Sequence, residues 1–226
     1  MPPASLSPHP SRLSEVGGLP IHRALPVPGR RRIGAWCFLD RFGPLSLDPD
    51  RSFDVGAHPH TGIQTVSYLM SGEVLHRDSL GYEARVRPGS VNIMTAGRGI
   101  AHAEEAPRDL HARLHGVQLW VALPEARRHD APAFQHIPET PMLERRGGRA
   151  RVFAGQLGEA RAAGLHYSPL VGADISIEAG STIELPLDDT FEHGVLVLSG
   201  RVEADGAPLD PDTLYAASPG WTSIEL

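Results

Sequence analysis

Residues 57–106 read AHPHTGIQTVSYLMSGEVLHRDSLGYEARVRPGSVNIMTAGRGIAHAEEA, and this stretch decides how the rest of the chain is read. It opens with His58-Pro59-His60 and closes with His102-Ala103-Glu104. Each pair is spaced by two, so on an extended strand both members project from the same face. Between them, strand-like runs alternate with turns. Val66, Tyr68 and Met70 alternate along one run, Ser71-Gly72-Glu73 turns, and Val74 to Asp78 returns. Ser79-Leu80-Gly81 turns again, and Pro88-Gly89 precedes the short run Val91 to Met94. This is the punctuation of a β-meander or barrel. If the first and last strands meet, three imidazoles and one carboxylate converge on one point. Such a set suits iron(II), manganese, nickel, copper or zinc and is too rich in nitrogen for calcium or magnesium. Four protein ligands on an octahedral ion leave two positions, room for a bidentate substrate or for substrate plus dioxygen, whereas a closed tetrahedral zinc would be structural only.

Working outward, 226 residues suffice for one large all-β domain or two small ones, and 41% hydrophobic residues can build a core. The net charge of −6 argues against a general nucleic-acid binder. All 21 basic residues are arginines. The 24 glycines and 21 prolines are spread along the chain, as many short strands and turns require. One cysteine, Cys37 within AWCFLD, excludes an internal disulfide and reads as a small buried hydrophobe. The N-terminus MPPASLSPHPSRL has no apolar core of signal-peptide length and no run approaches membrane-spanning length, so a soluble, cytoplasmic protein is expected.

Residues 1–18 are rich in Pro and Ser and read as a flexible segment. The first barrel is expected over 19–124, with Arg30-Arg31-Arg32 as a solvated turn and Ile33 to Leu39 as a buried strand; Asp48 to Asp54 is a polar lead into the first histidine pair. Residues 125–149, with several prolines and RRGGR, read as a linker, and the β pattern resumes over 150–226. Aligning Gly72 in Ser71-Gly72-Glu73-Val74 with Gly200 in Ser199-Gly200-Arg201-Val202 makes the second half a diverged copy. Pro186 and Asp188 then stand where the first half has His58 and His60, so no metal is expected there.

Other polar residues near the pairs receive plainer readings. Glu105 should face away from Glu104 and be solvated, and His76 sits in the returning strand. His111 and His115 read as surface or supporting residues, and Arg98 as a loop-stabilising residue. The loop Thr95-Ala96-Gly97-Arg98-Gly99 reads as a hinge that presents His102 rather than a phosphate loop, because no helix follows. Metal affinity should fall as pH drops through the histidine range, since protonated imidazole cannot ligate.

His58-Pro59-His60-Thr61-Gly62, Thr65-Val66-Ser67-Tyr68, Gly72-Glu73, His76-Arg77-Asp78-Ser79, Pro88-Gly89 and MTAGRGI (Met94 to Ile100) followed by HAE together resemble the pirin family of the cupin superfamily. GAWCFLDRFGP (Gly34 to Pro44) and Gln118-Leu119-Trp120-Val121 with Leu123-Pro124 are similar to it as well. The resemblance implies an all-β bicupin, two jelly-roll-like barrels with one metal, typically Fe(2+), in the N-terminal barrel. It places the ligands at His58, His60, His102 and Glu104, with Ni, Cu, Mn or Zn as other candidate metals. It implies a quercetin 2,3-dioxygenase-type enzyme that opens a flavonol-like substrate with dioxygen, with Glu104 as the catalytic base. The alternative is a non-enzymatic iron-binding regulator that contacts a transcription factor or a metabolic enzyme. Two departures stand out. The family usually has Glu at Gln64, which cannot act as a base, and the chain ends at Trp221 to Leu226, short of the usual tail, so a shortened second barrel is expected.

Overall fold

The computed structural model describes residues 6–47, 53–106 and 113–226, and its regular elements there are all strands. In chain order they are β1 (Ser7–Pro10), β2 (Arg12–Val16), β3 (Leu19–Leu25), β4 (Trp36–Ser46), β5 (Asp54–His60), β6 (Ile63–Ser71), β7 (Val74–Asp78), β8 (Glu83–Val86), β9 (Val91–Thr95), β10 (Ile100–Glu105), β11 (Arg113–Ala122) and β12 (Ala133–Ile137). The second half adds β13 (Met142–Arg145), β14 (Gly148–Leu157), β15 (Ala160–Arg161), β16 (Val171–Ile177), β17 (Glu184–Pro186), β18 (His193–Leu196), β19 (Val202–Ala204), β20 (Ala207–Leu209), β21 (Thr213–Ala217) and β22 (Ser223–Glu225). No helix among these residues is long and apolar enough to cross a membrane.

Two sheets build the first half. One has seven strands in the order β12-β9-β6-β11-β4-β3-β2, and the other four in the order β5-β10-β7-β8. A single apolar cluster joins Leu19, Ile21, Phe42 and Leu69 of the large sheet to Val74 and Val86 of the small one, so the sheets close face to face. Strand alternation sorts β6 cleanly. Ser67 and Leu69 face the space between the sheets, whereas Val66 and Tyr68 point the other way, into a cluster with Phe153, Ala154 and Leu170 of the second half. The halves are further tied by Trp36 Nε1 donating to the Val171 carbonyl (3.0 Å), by Tyr68 donating to Asp174 (3.0 Å) and by the Arg30–Glu192 ion pair (3.0 Å).

Three sequence expectations change. Within the segment read as flexible, residues 7–16 form strands. β1 pairs with β21, crossing to the second half, and β2 pairs with β3. Pro8 and Pro10 are tolerated because β1 is an edge strand, where a missing N–H leaves no ladder bond unmade. The stretch read as a linker holds β12, which pairs with β9, and β13, which pairs with β14. The buried strand expected from Ile33 starts later, at Trp36, because Ile33 and Trp36 first close a short bridge. The polar lead falls largely outside the described residues, as does His111. The two turn glycines behave alike: Gly72 and Gly200 both have left-handed backbones, at φ 87° and 79°. Pro186 pairs with Ser223 at the end of β17, and Asp188 accepts from Thr190 in the following turn.

Candidate metal centre

The expected meeting of the first and last strands occurs. β5 and β10 are antiparallel neighbours with His58 opposite His102. β7 flanks β10 on its other side, with Asp78 opposite His102 and His76 opposite Glu104. Directly opposed residues share a sheet face, so His58, His60, His102, Glu104, His76 and Asp78 form one polar row on the small sheet. The ladder shifts between His102 and Glu104, whose partner is Val55, so one extra residue bulges from β5 at Gly56-Ala57. That bulge brings the Gly56 carbonyl to 2.8 Å from His58 Nδ1. A carbonyl can only accept, so His58 carries its proton on Nδ1 and keeps a lone pair on Nε2.

His60 Nε2 and His102 Nε2 face each other at 3.1 Å, and the His58–His102 ring centroids are 4.5 Å apart. Potential ligand atoms converge in two overlapping triads, His58–His60–His102 and His76–His102–Glu104, each within 4.8 Å. His102 is 2% exposed. Burial, reinforced by neighbouring His58, lowers His60 to about 4 and His102 to about 2 from an ordinary 6.5. Both rings are therefore free bases in the folded protein well below pH 6.5, so proton competition at these two positions sets in at more acidic pH than the histidine range read from sequence. Glu104 is buried, and loss of hydration pushes its carboxyl up, opposed by Ser67 Oγ–H donating to Oε1 at 2.9 Å. Neutral imidazoles whose ring nitrogens converge beside a dehydrated carboxyl fit a divalent transition metal.

His58, His60, His102 and Glu104 of this row line a cavity of about 320 Å³ between the two sheets. Its walls include Phe38, Phe42, Phe53, Leu69 and Trp120, with Phe38 stacked on Trp120 at 4.0 Å. The edge of His60 meets Trp120 at 5.0 Å. Arg23 lies over Phe38 and makes a two-pronged ion pair with Asp40, at 2.8 and 2.7 Å. The cavity wall is thus apolar with one internally neutralised charge pair.

Several other residues take different places. His76, which spacing did not nominate, is 2% exposed and within the second triad. Gln64 is buried and points away from the cavity, donating to Thr95 Oγ1 (2.8 Å) and the Leu165 carbonyl (3.1 Å), so it clamps the halves together. Glu105 turns outward and pairs with Arg77. Arg98 is exposed in a surface hollow with Arg128 and His129, outside the cavity wall. His115 is half-buried beside the second half. Gly97 takes a left-handed φ of 52°, and it forms with Arg98 the turn that leads to β10. The Cys37 thiol is pushed up by burial and lies 3.5 Å from the Trp120 carbonyl.

Comparison with known proteins follows the same lines. The family model described as Pirin matches residues 18–121. A pirin-like protein of Caulobacter vibrioides is 38% identical over 221 residues, covering 95% of this chain and 76% of its own. The chain belongs to the pirin family. A Pseudomonas aeruginosa protein provisionally named a quercetin 2,3-dioxygenase is 44% identical to this pirin, covering 96% of it and 69% of the relative. The crystal structure of quercetin 2,3-dioxygenase from Acinetobacter baumannii superimposes on it with a TM-score of 0.94 at 39% identity, over 98% of this chain and 74% of that one. A bacterial pirin from Escherichia coli in complex with nickel(II) shares the fold at a TM-score of 0.69 and 17% identity, over 97% and 96% of the two chains. This pirin is thus an all-β bicupin that carries a His/Glu group able to hold a metal ion.

Proposed function

We propose that this pirin is a metal-dependent dioxygenase that opens flavonol-like substrates. The observation that carries the reading is the convergence of three imidazoles and a buried carboxyl on one apolar cavity. His58, His60 and His102 would hold the ion through Nε2 of His58 and the two facing Nε2 atoms, with Glu104 as the fourth ligand. Iron(II) is the first candidate, with nickel, copper, manganese or zinc as others. The bound ion would supply Lewis acidity toward an enediol oxygen and an open position for dioxygen.

The chain's own residues do the rest. Loss of hydration raises Glu104 toward working pH, which suits it to take the proton from the flavonol 3-hydroxyl. Ser67 steadies one carboxyl oxygen, and the other would bind the ion and, if the carboxyl swings off it, take that proton. The stacked Phe38–Trp120 pair offers a flat apolar wall to an aromatic ring system. The cavity volume lies near the lower end of ordinary small-molecule pockets, roughly 300–1,000 Å³. Its apolar walls exclude water from a reaction in which dioxygen adds to the activated ring and carbon monoxide leaves.

The test is oxygen uptake with quercetin, using protein purified without air and loaded with iron(II), beside His58→Ala. Uptake matched to flavonol loss and absent in His58→Ala supports the reading. No uptake despite bound iron overturns it and favours an iron-binding protein that acts through a partner such as a transcription factor or metabolic enzyme.

A further inference from the structure

We infer that Asp78 and His76 set the tautomer of His102 and so decide whether it can bind metal. The inference rests on His102 being a ligand, as proposed above. The Asp78 side chain is 0% exposed, and His76 Nε2 lies 3.1 Å from its Oδ2. A carboxylate oxygen only accepts, so His76 carries a proton on Nε2 and, as a neutral imidazole, presents a bare lone pair at Nδ1. That Nδ1 lies 3.3 Å from His102 Nδ1. Two bare nitrogens cannot bond, so the proton of this pair sits on His102 Nδ1. His102 Nε2 is then the lone pair, and it is the atom that faces His60 Nε2 at 3.1 Å, where without metal it accepts a hydrogen bond from that ring. The chain Asp78–His76–His102 thus transmits a proton position across two rings to the metal side.

The rest of the surroundings hold this chain still. Asp78 Oδ1 accepts from the backbone N–H of Leu80 (2.9 Å) and of Tyr82 (3.1 Å), which fixes the carboxylate's rotation and leaves Oδ2 for His76. The His76 ring stacks on Phe134 with centroids 4.4 Å apart and planes 13° from parallel. His76 and Asp78 are positioning residues: they act through His102.

The geometry makes one substitution diagnostic. In Asp78→Asn the side-chain oxygen stays where the two backbone N–H groups hold it, so the NH2 takes the place of Oδ2. That NH2 can only donate, so His76 must accept at Nε2 and carry its proton on Nδ1. His102 Nδ1 then becomes the acceptor, its proton moves to Nε2, and the lone pair is lost to the metal. His76→Phe keeps the ring stack and removes the acceptor. His76→Gln restores both roles, its oxygen toward His102 and its amide toward Asp78.

Two readouts test this. Nickel(II) alone, titrated against a competing chelator at pH 7, should bind Asp78→Asn and His76→Phe about 10–100-fold more weakly, the usual effect of losing a ligand's outer partner. His76→Gln should recover most of the affinity, which a His76 acting as a ligand in its own right would not. In metal-free, histidine-labelled protein, nitrogen–proton correlation spectra should show His102 protonated at Nδ1 in the wild type and at Nε2 in Asp78→Asn, assigned by the peak missing from His102→Ala. An Nε2–H tautomer in the wild type, or wild-type nickel affinity in Asp78→Asn, overturns the inference. Wild-type protein that binds no nickel overturns the metal-centre reading instead, and the tautomer spectra still decide this one.

Discussion

Replacing Ser67 with alanine removes the hydrogen bond donated to Glu104 Oε1 at 2.9 Å while leaving the backbone of β6 untouched. Glu104 is buried against an apolar cavity, and burial is the largest influence on its carboxyl, raising it, with Ser67 the first to oppose that rise. Hydrogen bonds to a charged group contribute about 1.5–3 kcal/mol. At about 1.4 kcal/mol per factor of ten, the carboxylate form loses roughly 10–100-fold in its favour. Only the carboxylate ligates well, so Ser67→Ala should weaken nickel(II) binding at pH 6.5 by about that factor. Part of the loss is proton competition, so the deficit should shrink as pH is raised toward 8. The assay is chelator competition across that pH range, with urea unfolding of the metal-free protein as a control for folding. Affinity unchanged within about twofold would show that Glu104 is not a ligand, and would refute the four-residue centre.

Other expectations follow from the same geometry. Asp40→Ala should cost about 3 kcal/mol in urea unfolding by stranding Arg23 over Phe38, while the double change to leucines should cost much less than the sum; additive losses would contradict a tightly paired wall. His60, His102 and His166 stay neutral in the fold but bind protons when unfolded below their ordinary 6.5, so the contribution of these groups is lost as pH falls from 6.5 toward 4. Glu104 acts oppositely, its contribution lost as pH rises from 4.5 toward its raised native value, but three histidines outweigh one carboxyl. The urea midpoint of metal-free protein should therefore drop between pH 7 and 4.5, and a flat or rising midpoint would contradict the burial of these rings. Gly97→Ala should destabilise by more than about 1 kcal/mol, because φ is 52° and an added Cβ would lie 2.1 Å from the Asp130 carbonyl oxygen; a thermal midpoint like the wild type's would contradict that turn.

The His58–His60 and His102–Glu104 pairs were legible because strand geometry has a period of two, and a spacing of two can be seen without a fold. The antiparallel meeting of β5 and β10 followed once both were strands. His76 was not legible as part of the same cluster. It stands alone in its strand, and only the long-range register that sets it opposite Glu104 brings it under His102. Residues 7–16 and 133–137 were misread for a different reason. Pro8, Pro10, Pro132 and Pro138 are breaker signals in isolation, yet Pro8 and Pro10 lie in an edge strand, where proline costs little, and Pro132 and Pro138 only flank β12. Gln64 departs from the family pattern close to the histidine pair in sequence, but the alternation along β6 turns it toward the second half.

The most direct measurement is anomalous scattering from a crystal of this pirin soaked in nickel(II). The account predicts one peak about 2.0–2.3 Å from Nε2 of His58, His60 and His102, with a Glu104 oxygen also bound, at ordinary metal–ligand distances. A peak held by His76, His102 and Glu104 without His58 and His60, or no peak in the cavity, would contradict it.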